Sequence, residues 1–199
     1  MKNPNTKSLN ITLLAITPEP QKIIELAGRT CWHSFERISE NSNEGFIAHL
    51  IKMGHESPLE HACATFHIEN CSRAMTHQLV RHRLISVCQE SQRYVEEDSF
   101  NYVVPPSIPT EHIDDYHEDM QTIAAMYGKW RQRGIKKEDA RFVLPNACVS
   151  QMVITANFRE WRHILKVRLA KAAQWEIREA CSRILQILKS HAPECFNDF

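Results

Sequence analysis

From Phe158 to His191 the chain runs for 34 residues without a glycine or a proline. No tight turn and no helix break is written into such a stretch. Trp161, Ile164, Leu165, Ala172, Ile177, Cys181, Ile184 and Leu188 recur along it and build an apolar helical stripe. The spacing predicts one long C-terminal helix, or two with a kink near residues 169–171. A stripe of this length needs another layer to bury it, and the rest of the chain supplies candidate strands.

Residues 11–17 read as a strand, residues 62–69 alternate with β-branched content suited to a second, and residues 149–155 make a third. Between them lie helical patterns. After Pro20, Ile23, Ile24 and Ala27 share a stripe, and Phe46, Ile47 and Leu50 form the apolar face of a helix over 43–52. Residues 72–83 read as a helix capped by Ser72, and residues 111–131 and 136–142 as two more. Residues 94–104 look extended and are ended by Pro105 and Pro106. Strands and helices alternate without regular βαβ spacing, so the expected class is α+β, with a central mixed or antiparallel sheet packed by helices and a long C-terminal helical segment. No repeat or long linker interrupts the 199 residues, which read as a single domain spanning 1–199.

Charge narrows the function classes. Twenty-four basic residues balance 24 acidic ones, which argues against a whole-surface positive field for non-specific binding of nucleic acid or anionic lipid. The apolar run near the N-terminus is seven residues long and stopped by Pro18 and Pro20, too short for a signal sequence or a membrane span. A cytoplasmic protein is expected. The seven cysteines form no C-x-x-C pair, so neither a disulfide framework nor a zinc knuckle is suggested, and most are expected to be small buried hydrophobes.

Three clusters carry chemistry. In the first, Gln78 to Tyr94, a helix ending in Arg81-His82-Arg83 is expected to direct its donors to one place, and Gln89, Glu90, Ser91, Gln92 and Arg93 add groups suited to phosphate and base edges. A solvated helix end whose cations complement the dipole is the plain alternative. The second holds His55, Glu56, Glu60 and His61, with His67 on the next strand. Pro58 breaks the helical spacing a zinc hydrolase would need, so ligand hydrogen bonding is favoured over metal, and no metal is expected. In the third, Asn157 is a natural N-cap, Arg159 and His163 share a helix face, and Arg168 sits in an apolar stretch where a buried arginine would need an anionic or carbonyl partner. Arg162 and Lys166 are assigned to the solvent face, and Trp161 and Trp175 to the core. No neighbour of Cys88 is arranged as a dedicated base, so it is not taken as a nucleophile.

Arg81-His82-Arg83, seven residues, then Ser91 and Gln92-Arg93-Tyr94 resemble the signature of the flavin-dependent thymidylate synthases. Residues 27–34 (AGRTCWHS), 54–61 (GHESPLEH), 139–147 (DARFVLPNA) and 173–178 (AQWEIR) resemble segments of the same family in the same order. The resemblance implies reductive methylation of dUMP to dTMP, with methylenetetrahydrofolate as carbon donor and NADPH as reductant of FAD, in a homotetramer with shared active sites. It implies flavin contacts from His55, Ser57, Glu60, Arg81, His82, Arg83, Gln89, Asn157, Arg159 and His163. For dUMP it implies Gln78, Arg81, Gln89, Glu90, Ser91, Gln92, Arg93, Arg141 and Arg168. Arg168 and Ser91 are the candidates for catalytic roles, with nucleotide contact the more economical reading of an unassisted serine.

Two positions depart from relatives: His163 stands where some carry asparagine, and Gln89 where some carry glutamate. The rival readings are a phosphate- or nucleic-acid-binding module built on Arg81-His82-Arg83, and a zinc hydrolase using His55, His61 and His67. Neither accounts for the ordered set of segments, and no nucleic-acid or membrane partner is expected.

Overall fold

The computed structural model describes residues 8–199; the polar start of the N-terminal stretch, and the first seven residues of the span read as one domain, lie outside them. Strand β1 (Asn10–Ile16) is followed by helices α1 (Pro20–Trp32) and α2 (Ser42–Lys52), then by β2 (Cys63–Ser72), α3 (Arg73–Leu79) and β3 (Ile85–Gln89). Helices α4 (Ile113–Gln132) and α5 (Lys137–Ala140) lead to β4 (Val149–Asn157), and α6 (Phe158–Arg168), α7 (Trp175–His191) and the short α8 (Pro193–Phe196) complete the chain. The strands form an antiparallel sheet in the order β1-β2-β4-β3, giving the expected α+β class. Among the described residues no helix is long and apolar enough to cross a membrane.

The chain divides into two compact units. One takes the described residues through Asn10, Ile68–Gln78 and Cys88–Met152; the other takes Ile11–His67, Leu79–Val87 and Val153–Phe199.

In the unit that carries α6 and α7, the alternating pattern of β4 buries Ile154 and Ala156, and the α6 stripe buries Trp161, Ile164 and Leu165. The Trp161 ring meets Phe66 edge-on at 5.2 Å, and its indole N–H donates to the Ala64 carbonyl at 3.1 Å, so a large core residue has its one polar atom satisfied. Gly28 on α1 is needed for close packing: a Cβ there would lie 2.6 Å from the Phe46 ring of α2. The other unit is built around Phe100, Tyr102, Met120 and Cys148, with Tyr116, Ile123 and Leu144 packed against them.

Several expectations need correction. The C-terminal segment takes the second of its two expected forms, two helices, with the break spanning residues 169–174 and Gln174 capping α7 by accepting from the backbone of Glu176 and Ile177. Residues 94–104 form turns and one isolated bridge, Tyr102 with Cys148, rather than an extended strand. Ile23 is exposed, and the buried face of α1 instead carries Ile24, Glu25, Gly28 and Arg29, because the Glu25–Arg29 ion pair can be buried as a unit. Helix α3 ends at Leu79, so Arg81-His82-Arg83 lies in the turn beyond it rather than at a helix end. Ser72 caps α3 as expected, its hydroxyl oxygen accepting from the Met75 N–H at 3.0 Å. Arg162 is buried, not on the solvent face, because it forks onto the Asp198 carboxylate, with both contacts at 2.6 Å, and also donates to the Cys195 carbonyl.

Candidate active site

The unit that contains α6 holds a cavity of about 1060 Å³ bordered by Glu56, Glu60, Asn157, Arg159, Glu160 and His163. Helix α6 organises it. Asn157 caps the helix, its side-chain oxygen accepting from the Glu160 N–H at 2.9 Å, and thereby sets the direction in which Arg159 and His163 emerge. Arg159 bonds Glu60 and lies 3.6 Å from Glu56. Its guanidinium is half exposed, so these ion pairs are weak and an anion entering the cavity can compete with the carboxylates for it.

His55 is placed by the end of α2. The His55 N–H bonds the Leu50 carbonyl at 2.9 Å and the Gly54 N–H bonds Ile51 at 3.0 Å, a Schellman closure that requires the left-handed backbone of Gly54, φ 70°. The exposed His55 ring lies 5.8 Å from that of Trp32, and with Ser57, Cys31 and Arg159 they line a second cavity of about 440 Å³ in the same unit.

The three residues of Arg81-His82-Arg83 do not converge. His82 is buried while Arg81 and Arg83 are exposed, as expected of a turn in which successive side chains diverge rather than of a helix end. His82 Nε2 lies 3.0 Å from Arg168 Nε, and Nδ1 lies 3.6 Å from a carboxylate oxygen of Glu160. Its ring stands edge-on to His163 at 5.5 Å. Burial, and then the charges of Arg168 and His163, push the His82 pKa down to about 4, so the ring is neutral at neutral pH. Arg168 is half-buried rather than fully buried, and the acceptor at its Nε is this neutral imidazole rather than the anionic or carbonyl group the sequence leads one to expect.

Glu160 escaped notice in the sequence. Its place three residues after an Asn N-cap is that of an ordinary capping partner, and this hid a carboxylate that is buried beside His82. His82, Glu160 and His163 present ligand atoms within 4.8 Å of one another, a grouping that could in principle hold a metal ion, and it shares no residue with the His55, His61 and His67 set of the zinc reading. The Arg168 contact opposes metal binding. An arginine only donates, so Nε2 must accept and the ring proton sits on Nδ1, leaving neither nitrogen of His82 available as a ligand.

In the other unit, the segment that follows Cys88 is anchored through side chains. The Gln89 amide donates to the hydroxyls of Thr76 at 3.0 Å and Ser150 at 3.1 Å, and Glu90 accepts from Gln151 at 2.8 Å. Ser91 opens a turn: its hydroxyl accepts from the Arg93 N–H at 3.3 Å and its carbonyl from the N–H groups of Tyr94 and Val95. Arg93 and Arg141 converge on Glu138, the first 3.4 Å from its carboxylate and the second donating to its carbonyl at 3.1 Å. Gln78 donates to the Ala74 carbonyl of its own helix. Gln92 is buried, and its amide lies beside Glu97 without reaching hydrogen-bond geometry. Burial, reinforced by the charge of Glu90, pushes the Glu97 carboxyl up to about 7, while Arg73 and the Gln92 amide oppose the shift.

The candidate flavin residues therefore fall in the α6 unit except for Gln89, whereas Gln78, Gln89 through Arg93, and Arg141 fall in the other, with Arg81 and Arg168 in the α6 unit. Cys71, Cys148, Cys181 and Cys195 are buried and Cys31, Cys63 and Cys88 exposed, and none of the seven is in a disulfide.

Residues 12–194 match the family model described as thymidylate synthase complementing protein. The flavin-dependent thymidylate synthase of Geobacter sulfurreducens is 42% identical, with 96% of this chain and 86% of that protein covered. The enzyme of the same description from Pyrococcus furiosus is 41% identical, covering 89% and 78%, and that from Nitratidesulfovibrio vulgaris is 38% identical, covering 94% and 84%. A match along nearly the whole chain, at this identity and to relatives of one description, means that the chain belongs to the flavin-dependent thymidylate synthase family of enzymes.

Proposed function

We propose that the protein converts dUMP to dTMP by reductive methylation, taking the carbon from methylenetetrahydrofolate and reducing equivalents from NADPH by way of bound FAD, as a cytoplasmic homotetramer. Family membership supports the reaction class. The observation that carries the assignment to this chain's residues is the 3.0 Å contact between Arg168, a nucleotide candidate, and His82, a flavin candidate.

The donor chemistry fits FAD. Arg159 offers a charge for the pyrophosphate and Asn157 and His163 offer hydrogen-bonding groups, while Glu56 and Glu60 can accept from hydroxyls, which an anion alone would not use. His55, Ser57, Arg81, Arg83 and Gln89 complete the proposed flavin set. The bound flavin supplies the hydride.

For dUMP, Arg93, Arg141 and Arg81 take the phosphate, since arginine pairs with phosphate in fork geometry. Gln78, Gln89, Glu90, Ser91 and Gln92 bond the edges of sugar and base. Arg168 faces the pyrimidine carbonyl and stabilises the negative charge that develops there as C5 becomes nucleophilic. Ser91 is a contact rather than a nucleophile, since its hydroxyl accepts from a backbone N–H, which makes the oxygen less nucleophilic.

Titration of the purified protein with FAD tests the assignment. Binding at micromolar concentration, weakened by Arg159→Ala and by His55→Ala, is expected. A protein that binds no FAD at that concentration contradicts the proposal.

A further inference from the structure

Five groups form a chain inside one unit. Arg168 Nε approaches His82 Nε2 at 3.0 Å, His82 Nδ1 approaches Glu160 Oε1 at 3.6 Å, and the Glu160 backbone is fixed by the Asn157 cap at 2.9 Å while His163 packs against the His82 ring. His82 is 7% exposed and Glu160 6% exposed, so water does not mediate freely between them. Both carboxylate and guanidinium are brought to the same imidazole by helix α6, on which they lie eight residues apart.

The identities at the two ends dictate the state of the middle. Arg168 can only donate, so Nε2 must be an acceptor. The remaining ring proton must then be on Nδ1, the nitrogen that faces the carboxylate. A negative charge 3.6 Å from that nitrogen favours the N–H dipole pointing toward it, and which nitrogen of a histidine is protonated is set by what the other one meets. Burial pushes the Glu160 carboxyl above its usual range, and the charge of His163, together with the helix dipole at the first turn of α6, opposes that shift.

We propose that Glu160 is a positioning residue for Arg168: its carboxylate holds His82 with the proton on Nδ1, so that Nε2 accepts from the guanidinium and fixes its orientation. The inference rests on the reading of Arg168 as the pyrimidine-facing arginine. Removing the carboxylate frees His82 to place the proton on Nε2, which turns an acceptor into a donor facing another donor. Arg168 is then displaced without being mutated.

The test follows the tautomer and the kinetics in the same variants. In protein carrying ¹⁵N-labelled histidine, the His82 resonances, assigned by their loss in His82→Gln, are expected to report an unprotonated Nε2 and a protonated Nδ1. Glu160→Leu should shift His82 toward protonated Nε2 and lower kcat by about 10- to 100-fold at saturating FAD, with KM for dUMP changed much less, a smaller loss than the roughly 10²- to 10³-fold for removing the arginine donor outright. Glu160→Gln, which keeps an oxygen facing Nδ1 but loses the charge, should fall between the unaltered protein and Glu160→Leu in both tautomer and rate. A merely structural role would move neither the tautomer nor the difference between the Leu and Gln variants. A His82 that carries its proton on Nε2 in the unaltered protein, or a Glu160→Leu variant with unchanged tautomer and kcat, overturns the proposal. If the unaltered protein makes no dTMP, the reading of the function fails, while the tautomer of His82 still decides the relay.

Discussion

Burial favours the neutral form of both His82 and Glu97, and this gives the protein two opposing pH dependences. With a folded pKa of about 4 against 6.5 unfolded, His82 costs stability as pH falls through that window, because the unfolded chain binds the proton more readily. With a folded pKa of about 7 against 4.5, Glu97 costs stability as pH rises through its window, because there the folded chain holds the proton more tightly. Glu97→Gln removes the second dependence and spares a buried carboxylate oxygen that has no hydrogen-bond partner. Denaturant unfolding should find this variant more stable than the parent by about 1–3 kcal/mol at pH 8, with the gain shrinking toward pH 4.5. A gain that does not vary with pH would contradict the assignment. Among the thiols, burial pushes Cys148, Cys181 and Cys195 up to about 12, which leaves them protonated and inert at neutral pH. Cys88 is exposed but has no assigned part in the chemistry. Cys88→Ala should therefore retain dTMP formation, whereas Arg168→Ala should lose about 10²- to 10³-fold in kcat while still binding FAD. An inactive, folded, flavin-loaded Cys88→Ala protein would reinstate a covalent cysteine route.

Helix α6 shows both how far the sequence can be read and where reading stops. Its start at an Asn cap, its apolar stripe and the shared face of Arg159 and His163 follow from spacing, because capping and burial are local consequences of residue type. The pairing of Arg162 with Asp198, 36 residues away, is not local, and that is why a buried arginine looks like a solvent-facing one in the sequence. The same holds for the site. Residue types suited to anions and ring edges are legible, but the contacts of Arg168 with His82 and of Gln89 with Thr76 and Ser150 depend on strand and helix placement. Strand β3 is hidden because Ile85–Gln89 is only five residues long and sits inside a run dominated by polar groups. The end of α2 gives an element-scale prediction. Gly54→Ala places a Cβ in left-handed backbone and should cost about 1–2 kcal/mol in unfolding free energy. Because His55 follows directly, FAD affinity should fall as well; unchanged stability and affinity would show that the closure of α2 does not hold His55.

At the scale of the whole molecule, the candidate flavin and nucleotide residues are concentrated in different compact units. A homotetramer with shared sites would let Arg93 of one subunit serve the same substrate as Arg168 of another, and complementation tests this. Arg93→Ala and Arg168→Ala should each be severely impaired alone, the latter by the same factor of about 10² to 10³. Refolded together in equal amounts, they should regenerate about a quarter of the active sites, since each contributing half is intact with a probability of about one in two. Mixtures that exchange subunits and stay inactive would exclude sharing between these two arginines. The central claim is that this chain couples flavin oxidation to methylation of a nucleotide, and anaerobic single turnover measures it directly. Protein loaded with FAD and reduced by NADPH is freed of excess reductant, then mixed with dUMP and methylenetetrahydrofolate. Reappearance of the oxidised-flavin absorbance, with one dTMP formed per flavin reoxidised, is predicted. Flavin that stays reduced, or that is reoxidised without dTMP, would contradict the account.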